Sequence, residues 1–154
     1  MRLQQATRLA LYSVLVLARD PTRQLAVAEI ADGYDISIHH LAKVLRTLGR
    51  AGLVEAVRGV GGGYRFTGNA KRVTVFDVIS LFEDVANPAP DDHDVVTPAA
   101  RALGLILAEI DEHAVATFRS VSISTMLKII ERTSQRATAD RSKGSEAQDS
   151  LDLS

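Results

Sequence analysis

Three groups of residues carry side chains that could do chemistry. The first is the ten-residue run VRGVGGGYRF, Val57–Phe66, in which four glycines stand between Arg58 and Arg65. Glycine-rich loops next to cations can cradle phosphates. A dinucleotide loop, however, needs the spacing G-x-G-x-x-G between a strand and a helix. Gly59 and Gly61 begin that spacing, but Tyr64 stands where the third glycine belongs, and the residues after it alternate like a strand. The Gly-Lys-Ser/Thr of a Walker loop is also missing. A hairpin tip remains: glycines allow a tight turn and close backbone approach, while Arg58 and Arg65 project from its base. Such an arginine-bearing hairpin suits a narrow minor groove, whose negative potential attracts guanidinium.

The second group lies just upstream. His39, His40, Lys43, Arg46, Thr47 and Arg50 share one face of the stretch 37–50, and no acid interrupts them. Side chains of this kind meet base edges and phosphates in a major groove. The third group is Asp91-Asp92-His93-Asp94. Its carboxylates and imidazole could hold a divalent cation, with His93 a weak metal candidate. Its tandem spacing in a loop favours a solvated acidic segment instead. His113 stands alone. Nothing resembles a nucleophile with its base or a metal triad, so an enzyme is not expected.

The elements that must position these residues follow from periodicity. Thr7–Ala18 is rich in Leu, Ala and Val and predicts a largely buried helix, ended by Asp20-Pro21. Val27–Asp32 predicts a short helix with Ile30 and Ala31 inward, and Gly33–Ser37 a turn. Ser37 is placed to cap a third helix through its hydroxyl, on which Leu41, Val44, Leu45 and Leu48 form one apolar stripe. Ala31 lets the two helices approach, Ile36 and Leu41 fix the turn, and Asp35 occupies a turn position often taken by glycine. Gly52 ends the helix. Leu53–Val57 and Tyr64–Thr67 then read as paired strands. Two helices about a tight turn, followed by a hairpin, predict a winged helix-turn-helix.

Downstream, Thr74 and Asp77 form an approximate capping box for a fourth helix. Residues 85–96 read as a loop. Thr97-Pro98 opens a long helix with cap and proline in their preferred places. On it Ala100, Leu103, Leu107, Ile110, Ala114 and Val121 lie near a 3-4-3-4 spacing, a narrow seam suited to a second helix. Ser124–Arg132 predicts a shorter helix, and the polar chain from Thr133 onward predicts disorder. Phe76, Phe82, Phe118 and Met126 could line an apolar pocket, although core packing explains them as well. The expected division is a DNA-binding unit at 1–84, a loop at 85–96, dimer and sensor helices at 97–133, and a disordered tail at 134–154.

Composition agrees with that division. The net charge is −1, but residues 1–82 hold 11 Lys and Arg against 6 Asp and Glu, whereas residues 83–154 hold 7 against 13. A basic half beside an acidic half suggests a nucleic-acid module joined to one with other duties. Hydrophobic residues make up 46% of the 154, enough for one core. The apolar run Leu9–Ala18 is too short and too interrupted for a leader or a bilayer span, so a soluble, cytoplasmic protein is expected. There is no cysteine, which excludes disulfides and thiolate sites.

The stretch DISIHHLAKVLRTLGRAGLVEAVRGVGGGYRF, with Met1-Arg2-Leu3 and VTVFDVISLFED at 73–84, resembles the winged-helix regulators of the IscR/NsrR/CymR (Rrf-two) family over about residues 1–130. The resemblance implies a homodimer that binds a palindromic operator in double-stranded DNA, usually as a repressor. It implies that Ser37, His39, His40 and Lys43 serve the major groove, and Arg46 joins them as part of the same basic face. It places Arg58 at the minor groove and Arg2 and Arg8 near phosphates; Gly61, Gly62 and Arg65 are DNA-binding candidates as parts of the same wing. Leu103, Leu107, Ile110 and Ala114 would face a second copy. Many members hold an iron–sulfur cluster on three cysteines in the region matching Ala86–Arg101, with a carboxylate or histidine as fourth ligand. Here position 8 is Arg8, and no histidine lies between Thr97 and Glu112. No cofactor is therefore expected, and a small molecule remains a candidate signal. Two readings stay open: a chain that never held a cluster, or one whose cysteines were replaced (Ala86, Ala89, Ala99 and Ala100 are candidate positions). A protein of this fold that binds a partner instead of DNA is a third reading, opposed by the intact basic helix and wing.

Overall fold

The computed structural model describes residues 2–32, 34, 36–85 and 97–149. The Asp91–Asp94 cluster with His93, the alanines at 86 and 89, and the turn residues 33 and 35 lie outside them. The described elements run α1 Gln5–Arg19, α2 Val27–Ala31, α3 Ile38–Arg50, β1 Val54–Val57, β2 Gly63–Phe66, α4 Val75–Ile79, α5 Pro98–Ser120 and α6 Ile123–Asp149. This is the mostly α architecture with one small hairpin that the periodicity predicts.

The core gathers around α1 and α3. Leu9, Val14 and Leu17 of α1 meet Ile30 and Ala31 of α2 and the Leu41, Val44, Leu45, Leu48 stripe of α3, all buried. Each of these leucine, isoleucine and valine side chains contributes about 1.5–3 kcal/mol of burial, which fixes the roll of α3 and so decides which of its faces meets solvent. The start of α3 differs from expectation. Ser37 occupies the N-cap position, but its hydroxyl makes no capping bond. Instead its carbonyl accepts the Leu41 N–H at 3.1 Å, and burial of the stripe holds the first turn in place. At the other end Gly52 adopts φ +74°. The Leu53 N–H reaches the Leu48 carbonyl at 3.1 Å and the Gly52 N–H the Gly49 carbonyl at 3.0 Å, the paired bonds of a Schellman stop. That stop delivers the chain directly into β1.

The hairpin is antiparallel, with Val54 opposite Phe66, Glu55 opposite Arg65, Ala56 opposite Tyr64 and Val57 opposite Gly63. A third segment joins it. Leu25 and Tyr64 exchange both backbone bonds, at 2.9 and 2.8 Å, so the loop before α2 lies along the outer edge of β2.

Thr74 and Asp77 form the reciprocal capping box of α4, and Thr97 caps α5 through the Ala100 N–H at 3.1 Å. The seam residue Val121 is not helical: it is the C-cap of α5, and its carbonyl accepts the Val75 N–H at 2.9 Å. Ile123 returns the bond to Val73 at 2.9 Å and is fully buried. The α5–α6 junction is thus stitched into the first unit. The last helix also departs from expectation, because α6 continues to Asp149 through the stretch read as a disordered tail. Low hydrophobicity suggested disorder, but Glu, Arg, Gln, Ala and Lys dominate residues 131–149 and favour helix without needing a core face.

Candidate nucleic-acid interface

Burial of the α3 stripe turns the opposite face outward. Ser37, His39, His40, Lys43, Arg46 and Arg50 are all exposed, and Thr47 is half-buried with its hydroxyl bonded to the Lys43 carbonyl. Among the described residues, no ion pair involves Lys43, Arg46 or Arg50. The face therefore presents a row of donors with no acid to neutralise them, on a helix rigidly seated in the core.

The wing tip is set by its glycines. Gly59 has φ +103° and Gly61 φ +73°, a region that L side chains rarely adopt. The Gly62 N–H closes the turn on the Gly59 carbonyl at 3.0 Å. Gly62 itself does not have positive φ; it is required for space, since a Cβ there would lie 2.4 Å from the Val57 carbonyl oxygen. Gly63 is tighter still, for a Cβ at that position would come within 2.2 Å of the Leu25 carbonyl oxygen. Val60 stands fully in solvent at the tip, and Arg58 is exposed beside it.

The two wing arginines are not equivalent. Arg65 lies opposite Glu55 in the register, and its guanidinium pairs with that carboxylate. It ties the two strands together, a surface pair worth about 0–1 kcal/mol, and is not free at the base as its sequence position suggested. Arg58 makes no ion pair among the described residues. Sequence reasoning missed Gln24, whose side-chain amide donates to the Gly61 carbonyl at 2.9 Å. With the Leu25–Tyr64 bridge it straps the wing to the loop before α2. No local pattern in the sequence marks this contact, because it joins residues 37 apart in the chain.

The outlying basic residues Arg2 and Arg8 are exposed, one preceding α1 and the other on it. Nearby, Glu83 accepts from the Gln4 N–H at 2.7 Å and from the Thr7 hydroxyl, fixing the start of α1 to the segment that follows α4. The expected pocket forms only in part: Phe76 and Phe82 line one cavity, without Phe118 or Met126. Phe76 carries the Arg119 guanidinium 4.4 Å over its ring, whereas Met126 lines a separate cleft against α1. On α5 none of the 23 residues is buried by its own chain. Leu103, Leu107 and Ile110 are about half exposed, Ala114 is half-buried, and Ile106 widens the same stripe.

A helix-turn-helix with a glycine-tipped wing and a long apolar helix is a combination found in known regulators. The family model Rrf2, described as an iron-dependent transcriptional regulator, matches residues 3–129. The chain belongs to the Rrf2 family. BadM of Rhodopseudomonas palustris, named as an HTH-type transcriptional regulator, is 53% identical over 154 residues, covering 97% of this chain and 96% of that protein. NsrR of Shouchella clausii, also named as an HTH-type transcriptional regulator, is 36% identical over 85 residues, 54% of this chain and 57% of its own. Among solved structures, CymR of B. subtilis superposes with TM-score 0.70 at 24% identity, over 84% of this chain and 98% of that one. IscR of T. potens gives 0.65 at 22%, over 86% and 90%. These two show the shared winged-helix fold. The Rrf2 chain is accordingly an HTH-type transcriptional regulator and not an enzyme.

The family description raises iron, and the donor set here does not fit a thiolate-held cluster. The chain has no cysteine, while iron–sulfur clusters are held chiefly by cysteine. Among the described residues no three His, Asp or Glu side chains converge as a metal site. No helix among them is long and apolar enough to cross a membrane.

Proposed function

We propose that this Rrf2 regulator is a homodimeric repressor of a palindromic operator, responsive to a signal other than a cysteine-ligated iron–sulfur cluster. The observation that carries the reading is the acid-free face of α3 together with an Arg58 in the wing that has no ion pair among the described residues. His39, His40, Lys43 and Arg46 read the major groove, with Ser37 at its edge. Arg58 enters the flanking minor groove, where the positive-φ glycines let the backbone approach. Arg65 braces the wing, and Arg2 and Arg8 serve phosphates. The exposed stripe Leu103, Ile106, Leu107 and Ile110 pairs with its copy, since an apolar strip of this length on a monomer would stand in water. Two copies then offer two recognition helices to two half-sites.

The test is to sequence DNA recovered with the protein from its own genome, then titrate the enriched palindrome at several salt concentrations. Tight binding with a steep negative salt slope, about 0.9 per phosphate neutralised, is expected. Recovery of no enriched sequence refutes the reading.

A further inference from the structure

A cleft of about 520 Å³ opens between α1 and α6, in the size range of small-molecule sites. Val16, Met126, Leu127 and Ile130 form its apolar walls, and Ile130 is left 38% exposed by its own chain. Tyr12 of α1 and Tyr34 line it as a parallel stack, ring centroids 5.0 Å apart and planes 6° from coplanar. Burial pushes the Tyr34 phenol up, with Tyr12 adding to the shift. Tyr34 belongs to the turn between α2 and α3, where its N–H is bonded to the Ala31 carbonyl at 2.9 Å. One wall of the cleft is therefore part of the turn that aims the recognition helix.

The charged lining is small. Arg19, in the last turn of α1, makes no ion pair among the described residues. It stands two helical turns from Tyr12, about 10 Å along the axis. Glu131 of α6 also lines the cleft. A guanidinium fork at the edge of an apolar slot suits a carboxylate, and the 10 Å run suits an apolar body of about eight carbons.

We propose that this cleft is an effector site for a small apolar monocarboxylate, which bears on Tyr34 and thereby changes operator affinity. The binding half stands on the cleft alone, and the coupling half rests on the DNA-binding function proposed above. A ligand wedged between α6 and the Tyr12–Tyr34 stack displaces the turn and with it the first residues of α3. Glu131 opposes the acid, so it sets a limit on affinity instead of supplying it.

The test uses the full chain and 1-anilinonaphthalene-8-sulfonate, an apolar fluorophore with one anionic group. Octanoate should displace it about tenfold better than octanol or octylamine. Arg19→Gln should remove that preference, Glu131→Gln should keep or sharpen it, and Ile130→Trp, which fills the slot, should abolish displacement. Octanoate should change operator affinity about fivefold or more, and Tyr34→Ala should still bind octanoate while losing the effect on DNA. Displacement that is insensitive to Arg19→Gln and Ile130→Trp, or a preference for octylamine, overturns the assignment. A chain that binds octanoate in this way but binds no DNA would instead sink the proposed function and leave the cleft assigned.

Discussion

Gly63→Ala tests whether the wing works only when fastened to the loop before α2. The added Cβ would lie 2.2 Å from the Leu25 carbonyl oxygen, 2.4 Å from its carbon and 2.8 Å from the Ala26 nitrogen. All three are backbone atoms, so no side chain can swing aside. The edge must separate, and the two Leu25–Tyr64 backbone bonds at 2.9 and 2.8 Å are lost. At about 1 kcal/mol net each, the destabilisation is about 2 kcal/mol. For a chain of this size that lowers Tm by about 4–8 °C. No charge changes, yet the Gln24 amide loses its register with Gly61 and the Arg58 tip is no longer aimed. Operator affinity should fall about tenfold or more, the worth of one charge-assisted bond of about 1.5–3 kcal/mol. Gly61→Ala is the control: nothing lies within 4 Å of its Cβ, but φ is +73°, so it bears only a local backbone cost of about 1–2 kcal/mol. Thermal melts and fluorescence anisotropy on a labelled operator measure both. A Gly63→Ala protein that melts and binds like the parent refutes the strap.

Arg58→Ala should weaken operator binding, most at A·T-rich flanks, and reduce the salt slope by about 1 per wing; an unchanged titration would show that the wing is not a DNA contact. Lys43→Ala should relax preference at one major-groove position by about 1–3 kcal/mol without altering the melt, read by competition among single-base operator variants. Leu107→Glu places a charge in the α5 stripe and should give a monomer by sedimentation, whereas the parent should sediment as a dimer at micromolar concentration; a monomeric parent defeats the pairing. The purified protein should be colourless, without stoichiometric iron and sulfide, because the chain offers no thiolate; an absorbance spectrum and metal analysis decide it.

Local chemistry made the α3 face legible. Leu41, Val44, Leu45 and Leu48 recur at helical spacing, so their burial and the exposure of His39, His40, Lys43 and Arg46 follow from periodicity alone. Thr74 with Asp77, and Thr97 with Ala100, announce their helices through bonds spanning three residues, and Pro98 adds the first-turn proline. The features that escaped depend on which strangers in the chain become neighbours. Glu55 and Arg65 pair only once the hairpin register is known. Gln24 reaches a carbonyl 37 residues away, and the tyrosine stack needs α1 and the turn before α3 side by side. The glycine run showed that a tight turn was wanted. It did not show that Gly59 and Gly61 serve backbone angle while Gly62 and Gly63 serve clearance.

The charge asymmetry suggested two modules with separate duties, but the α5–α6 junction makes them mechanically one. The Val75–Val121 and Ile123–Val73 bonds, both 2.9 Å, and the Ser124–Ala70 bond at 2.7 Å bind the junction to the segment that opens α4. Ile123 is fully buried in the core that also seats α3. Arg119, at the end of α5, rests on the Phe76 ring of α4. An α5 held by a second copy therefore cannot tilt without moving α4 and the start of α6. Because α6 is also one wall of the cleft against α1, the setting of α5 in the proposed dimer and the width of the cleft are linked through the same two-residue junction. It follows that Ile123→Ala, which leaves every proposed DNA, dimer and cleft contact in place, should do more than cost the about 2–5 kcal/mol of a buried truncation. It should also broaden the spacing between recognition helices, so that palindromes with altered half-site separation compete better against the parent operator. An Ile123→Ala protein with lowered stability but unchanged spacing preference would show that the junction holds the fold together without setting the geometry of the reader.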